Sequence, residues 1–231
     1  MRRKYKITED YWMSISDMMS ALMIIFLFIS IAFMIRVQEQ QKEMNKIITD
    51  YKNIKVEIYN ELYAEFKDDF KKWDAELDKD TLSVKFQEPD VLFAQGSSNI
   101  NSKFKVILDD FFPRYIKLLS QDKYKNVIQE IRIEGHTSSE WNNQKNTMEA
   151  YFKNMELSQA RTRSVLEYTI MLPAVSNERE WLIKKITANG LSYSQSVIEN
   201  NIENANKSRR VEFRIRTNAD EKMSQLEEKT Q

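Results

Sequence analysis

Polarity along the chain changes most sharply near its start. Arg2, Arg3, Lys4 and Lys6 crowd the first residues, and then no charge occurs from Met18 to Ile35. As an α-helix that run rises about 27 Å. With Tyr11–Asp17 added, it predicts a helix long enough for a ~30 Å hydrocarbon core. The apolar run is too long for a cleaved leader, and no small-residue cleavage site follows, so a retained single-pass anchor is expected. Basic residues ahead of it place the N-terminus in the cytoplasm and the remainder outside. Tyr11 and Trp12 suit the headgroup level.

A second pattern follows. Met44, Ile47, Tyr51, Ile54, Ile58, Leu62, Phe66, Phe70, Trp73 and Leu77 recur about every 3.7 residues, the mark of an amphipathic helix. That drift is nearer an eleven-residue repeat than a heptad. The stripe is therefore expected to pack on the following domain, on a twin chain, or on both. The charged remainder of the helix reads as a solvated face.

Beyond Leu77 the pattern turns mixed. Leu82, Val84 and Phe86 alternate before Pro89, and Asp90–Ala94 leads toward Gly96. Ser102–Ser120 reads as a helix with Ser102 as a possible cap and a kink at Pro113. Val127–Ile133 alternates into Gly135, Met155–Met171 reads as a helix closed near Pro173, and Leu182–Ile186 leads to Gly190. Val211, Phe213 and Ile215 form a last strand. Strands interleaved with helices make this domain α/β (α+β). The predicted organisation is a cytoplasmic N-terminus (1–11), a transmembrane helix (12–36), an amphipathic helical linker (37–80), the mixed domain (81–217) and a polar tail (218–231).

Composition removes several functions. The chain has 231 residues and zero formal net charge, so nucleic acid is not an expected partner. It has no cysteine, which excludes disulfides and thiolate metal sites. One histidine, His136, cannot cage a metal by itself. No nucleophile–base set, metal-ligand spacing or phosphate loop is present, so an enzyme is the least supported class.

Asp17 carries the sharpest chemical question. As a helix-end acid it reaches for water. As an intramembrane acid it costs about 2.5–3.5 kcal/mol to insert, and such residues mark proton or ion pathways. Ser20, Ala21 and Ile24 share its helical face, and small or polar residues there favour contact with other helices over lipid.

The stretch W-M-S-I-S-D-M-M-S-A-L-M-I-I-F-L, Trp12 to Leu27, resembles the N-terminus of MotB-type stator subunits. The resemblance covers about sixteen positions and maps the family's ion-carrying Asp onto Asp17. It implies that Asp17 binds and releases protons or sodium ions, with no other cofactor. It also implies a homodimer inside a ring of MotA-like membrane subunits, in the bacterial inner membrane.

Three later blocks resemble the OmpA-like peptidoglycan-binding domain: I-R-I-E-G-H-T-S-S from Ile131, N-M-E-L-S-Q-A-R from Asn154, and N-K-S-R-R-V-E-F from Asn206. The resemblance spans roughly Leu82–Thr217 and implies a mixed sheet with helices on one face. It maps the Arg that pairs with the carboxylate of the diaminopimelate stem peptide onto Arg161, preceded by Asn154 and Leu157, and the terminal Arg pair onto Arg209 and Arg210. Either of that pair can equally be a charged strand end. A guanidinium suits a carboxylate because it donates two parallel hydrogen bonds. The family's Asp after Gly-His-Thr, which faces the stem-peptide ammonium, is Ser138 here. Its contact is weakened or reassigned, with Glu140 as one candidate. The loop 138–153 is longer than the family's, and Trp141, Tyr151 and Phe152 in or beside it either meet sugar rings or pack.

The two resemblances in this order describe a wall-anchored stator subunit with a periplasmic C-terminal domain. The short chain, altered wall motif and divergent loop favour the ZorB family of Zorya anti-phage systems, with ZorA-type ring partners. Flagellar MotB-type stators are the alternative. A static wall tether, needing no acid at Asp17, is the reading from a different class.

Overall fold

The computed structural model describes residues 4–87, 92–94, 96–141, 144–145 and 147–218. The tail expected at 218–231 lies outside them apart from Asn218, as do Asp90 and Val91 and the side chain of Tyr11. The chain divides into two units, the first 51 residues and everything from Lys52 onward.

The first unit is helical throughout its described part and belongs to α1, Lys4–Trp73. Every residue from Ile15 to Arg36 is exposed, on all sides of the helix. This exposed helix is long and apolar enough to cross a membrane. Beside Asp17, the Ser20 hydroxyl donates to the Ser16 carbonyl at 2.8 Å, which satisfies a polar group in an otherwise apolar stretch.

In the second unit the end of α1 continues into β1 (Ala75–Asp78), β2 (Ser83–Phe86), α2 (Ser102–Leu119) and α3 (Asp122–Lys125). Then come β3 (Ile128–His136), the small strands β4 (Glu140–Trp141) and β5 (Gln144–Lys145), and α4 (Met148–Ile170). A 3-10 turn (Pro173–Val175), α5 (Arg179–Lys185), β6 (Ile186–Gly190), β7 (Ile198–Glu199), β8 (Ile202–Glu203), α6 (Ala205–Ser208) and β9 (Arg210–Thr217) complete it.

Five strands form one sheet in the order β1-β2-β9-β3-β6, with β3 and β6 parallel and the other pairs antiparallel. Register sorts the side chains. Ile131 faces Ile215, Ile133 faces Phe213, and Val84 pairs with Phe213, so one face is apolar. The other face pairs Arg132 with Arg214, Glu134 with Glu212 and His136 with Arg210. The expected mixed sheet with helices on one face is what forms, because strand alternation leaves only that face apolar.

The linker stripe is part of this core. Ile58, Leu62 and Phe66 are fully buried, and Phe70, Ile54 and Trp73 pack beside them. Phe111 of α2 gathers the rings of Phe66 at 5.2 Å, Phe86 at 5.0 Å and Phe213 at 5.2 Å. Arg114 secures the docking from outside, through Glu65 at 2.8 Å and Asp69 at 3.0 Å.

Several boundaries differ from the sequence reading. The helix ends at Trp73, and Asp74 turns the chain at φ 47°, so Leu77 belongs to a strand and the sheet begins before position 81. Ser102 is helical; its neighbour Asn101 holds the cap position, and its side chain makes no capping hydrogen bond. Helix α2 runs through Pro113 without a break. Helix α4 starts at Met148 rather than Met155, because Thr147 caps it by accepting from the Ala150 amide at 3.1 Å. Tyr151 and Phe152 are therefore helical.

Candidate functional site

Two glycines set the position of α4. Gly135 on β3 and Gly190 on β6 are direct neighbours in the parallel ladder. A Cβ on Gly190 would stand 2.4 Å from the Gln159 amide nitrogen, and one on Gly135 would stand 2.9 Å from the Ser158 carbonyl oxygen. The helix backbone thus lies directly on the sheet, which only residues without a Cβ allow. Gln159 strengthens the contact by accepting from the Gly190 amide at 2.7 Å.

This docking sets Arg161 at the carboxyl end of β3. The side chain is 9% exposed; its Nε donates to the Ser97 carbonyl at 2.9 Å, and its guanidinium lies over the Phe93 ring at 4.8 Å. A narrow cleft is lined by Phe93, His136, Ser158, Arg161, Arg209 and Arg210, among others. Arg209 donates to Asn206 at 2.6 Å, while its buried Nε has no hydrogen-bond partner. Arg210 is held by Glu212 at 2.6 Å. Three guanidinium groups converging on one cleft suit an anionic ligand, above all a carboxylate.

Of the residues singled out from sequence, Arg161 and Arg209 line this cleft, as does Arg210. The others stand outside its lining. Asn154 is buried and donates to the Glu140 carbonyl at 3.4 Å. Leu157 is half-buried. Tyr151 packs against Tyr193 at 5.5 Å and Phe152 at 5.6 Å. Ser138 is buried at 4% exposure. Phe93 and His136 are lining residues that sequence reasoning did not assign. Glu203 stands outside the lining but next to the motif: it accepts from the Ser139 amide at 2.9 Å.

The polar face of the sheet contains the one group of acids and histidine, among the described residues, near enough together to hold a metal: Glu134, His136 and Glu212. Its surroundings oppose that use. Arg210 lies 2.6 Å from Glu212, and Arg214 lies 3.7 Å from Glu134. A divalent cation would face these guanidinium groups at close range. Burial and the nearby Arg210 push the His136 pKa down to about 4, so the ring is neutral at pH 7. Burial also holds Glu134 above the usual carboxylate range. Glu212, which burial alone would raise, is held below that range by Arg210.

In the first unit, Asp17, Ser20, Ala21 and Ile24 are all exposed on one helical face, as the spacing predicts.

Known proteins match both units. The OmpA family pattern matches residues 92–210. The Zorya protein ZorB of Escherichia coli (strain Crooks) is 46% identical over 213 residues, covering 92% of this chain and 90% of that one. A crystal structure of a MotB-like protein from Desulfovibrio vulgaris, 21% identical, covers 73% of this chain and 98% of its own with a TM-score of 0.51, a likeness of fold. The match to ZorB runs through the acid-bearing helix as well as the arginine cleft, and the chain belongs to the ZorB family, with an OmpA-family domain as its C-terminal part.

Proposed function

We propose that this chain is the wall-anchored stator subunit of an ion-driven motor in the bacterial inner membrane, serving Zorya-type defence against phage. The observation that carries the reading is the joining, in one chain, of two features. One is an apolar helix with an acid on an uncovered face, and the other is an OmpA-family domain whose cleft gathers Arg161, Arg209 and Arg210. The near full-length match to ZorB favours the defence role over a flagellar one.

The mechanism follows from charge. Ionised, Asp17 must be paired or hydrated, which is costly among apolar helices. Protonated, it tolerates apolar neighbours. Each exchange of a proton therefore changes which contacts with surrounding MotA-like subunits are favourable. Two copies of the chain, alternating at their two Asp17 sites, step a ring of those partners. The N-terminus lies in the cytoplasm, and the periplasmic domain holds peptidoglycan so that torque has a fixed support. Arg161 and Arg209 grip stem-peptide carboxylates.

Sedimentation of the full-length chain with purified sacculi tests the anchor. Arg161→Ala is expected to reduce the bound fraction roughly tenfold or more, the scale of a lost charge-assisted hydrogen bond. Undiminished sedimentation of a folded Arg161→Ala chain would count against the cleft as the wall site.

A further inference from the structure

We propose that Glu203, carried on the β7–β8 hairpin, is the carboxylate that reads an ammonium group on a ligand whose far carboxylate the arginine cleft grips. The proposal rests on the wall-binding reading of the cleft and names the group that makes the site selective for a diamino diacid.

The cleft itself is one-sided. Its lining contains Arg161, Arg209 and Arg210 but no acid. Such a surface attracts any carboxylate and repels an adjacent ammonium. Selectivity for a zwitterion needs an anion at the rim. Position 138, immediately after Gly-His-Thr, offers only a buried serine. One residue on, the chain takes hold of a carboxylate from far away in sequence. The Ser139 amide donates to Glu203 Oε1 at 2.9 Å, the Ser139 hydroxyl donates to Glu203 Oε2, and the Ser196 hydroxyl donates to Oε1 at 3.2 Å.

These donors fix the carboxylate without neutralising it. Glu203 is half-buried, and among the described residues no lysine or arginine pairs with it. Its neighbours differ: Glu199 has Lys207 at 2.5 Å and Glu212 has Arg210 at 2.6 Å. A held anion with no counter-ion among the described residues, on a hairpin tied to the segment that carries Arg209 and Arg210, complements a ligand that bears both charges.

The hairpin is built to hold that position. Asn200 and Asn201 both take positive φ, 51° and 62°, as a tight two-residue turn requires. At its base the Val197 amide donates to the Ser208 hydroxyl at 2.9 Å, and Arg210 donates to the Gln195 carbonyl at 3.3 Å. The segment that carries Arg209 and Arg210 is thereby tied to the hairpin that carries Glu203. Asn154 bonds the Glu140 carbonyl next to Ser139, and Arg161 lies two turns further along α4, roughly 10 Å away. That span is of the same order as an extended diamino diacid. Glu140, the other acid beside the motif, is exposed.

The test compares two ligands on the full-length chain in detergent by titration calorimetry: meso-diaminopimelate, and pimelate, the same diacid without amino groups. Glu203→Gln should shift the ratio of the two affinities at least tenfold toward pimelate, with pimelate binding kept. Adding Ser138→Asp to that variant should return the ratio toward diaminopimelate. An unchanged ratio in Glu203→Gln overturns the proposal. So does an equal loss of both ligands, which would make Glu203 only a latch for the hairpin. If the parent chain binds neither ligand, the wall-binding reading itself fails, and this assignment falls with it.

Discussion

Phe28 and Phe66 lie on the same helix, yet the first is 66% exposed and the second has no exposed surface. The difference lies in the pattern around each. From Ile15 to Arg36 apolar side chains project in every direction, and all of them are exposed. From Ile54 to Trp73 they form one stripe, which the sheet and α2 bury completely at Ile58, Leu62 and Phe66. A stripe identifies a partner within the domain, whereas an uninterrupted apolar cylinder needs a solvent of its own, lipid or other helices. An acid in the second setting is therefore far costlier than the acids that flank the first.

The largest effect that would break this comparison is truncation in the stripe. Phe66→Ala should destabilise the domain by about 3–5 kcal/mol in denaturant unfolding, while Phe28→Ala leaves that transition in place. Next comes Gly190→Ala. Its Cβ meets helix backbone, so a loss of about 1–3 kcal/mol is expected, with weaker sacculus binding as α4 shifts Arg161.

Acid should act more gently. His136 is neutral in the folded domain, with its pKa down at about 4, and takes a proton near 6.5 when unfolded. Its contribution is complete above pH 6.5 and is lost as pH falls toward 4, so the melting temperature should fall across that window. Glu134, held high by burial, takes up a proton more readily when folded and partly offsets the loss. His136→Gln should flatten the profile; an unaltered slope would remove His136 as its cause. The smallest effect is expected at Arg114. Glu65 and Asp110, two of its three acidic partners, are about half exposed, so Arg114→Ala should cost no more than about 1 kcal/mol in the same unfolding measurement.

How far the sequence could be read depends on how local each signal is. The membrane helix, the stripe and the strands around Ile131 and Phe213 declare themselves by periodicity, because burial repeats with the backbone. The Arg161 helix was legible in its middle but not at its start. Thr147 is an ordinary capping residue, yet the aromatic pair after it read as loop. The Asn200–Asn201 pair is a local hairpin signal, since asparagine tolerates the positive φ that both positions take. Glu203 could not be placed at all, since its contact with Ser139 joins residues 64 apart and follows only from the fold.

The central claim is that the acid on the uncovered helix does the work and the outer domain only holds it in place. Phage challenge of cells carrying the complete defence system, with this chain as parent or as Asp17→Asn, tests it most directly when sacculus binding is measured on the same variants. The account predicts that Asp17→Asn abolishes protection while wall binding stays at the parent level. Full protection by that variant would contradict it and leave the chain a static tether.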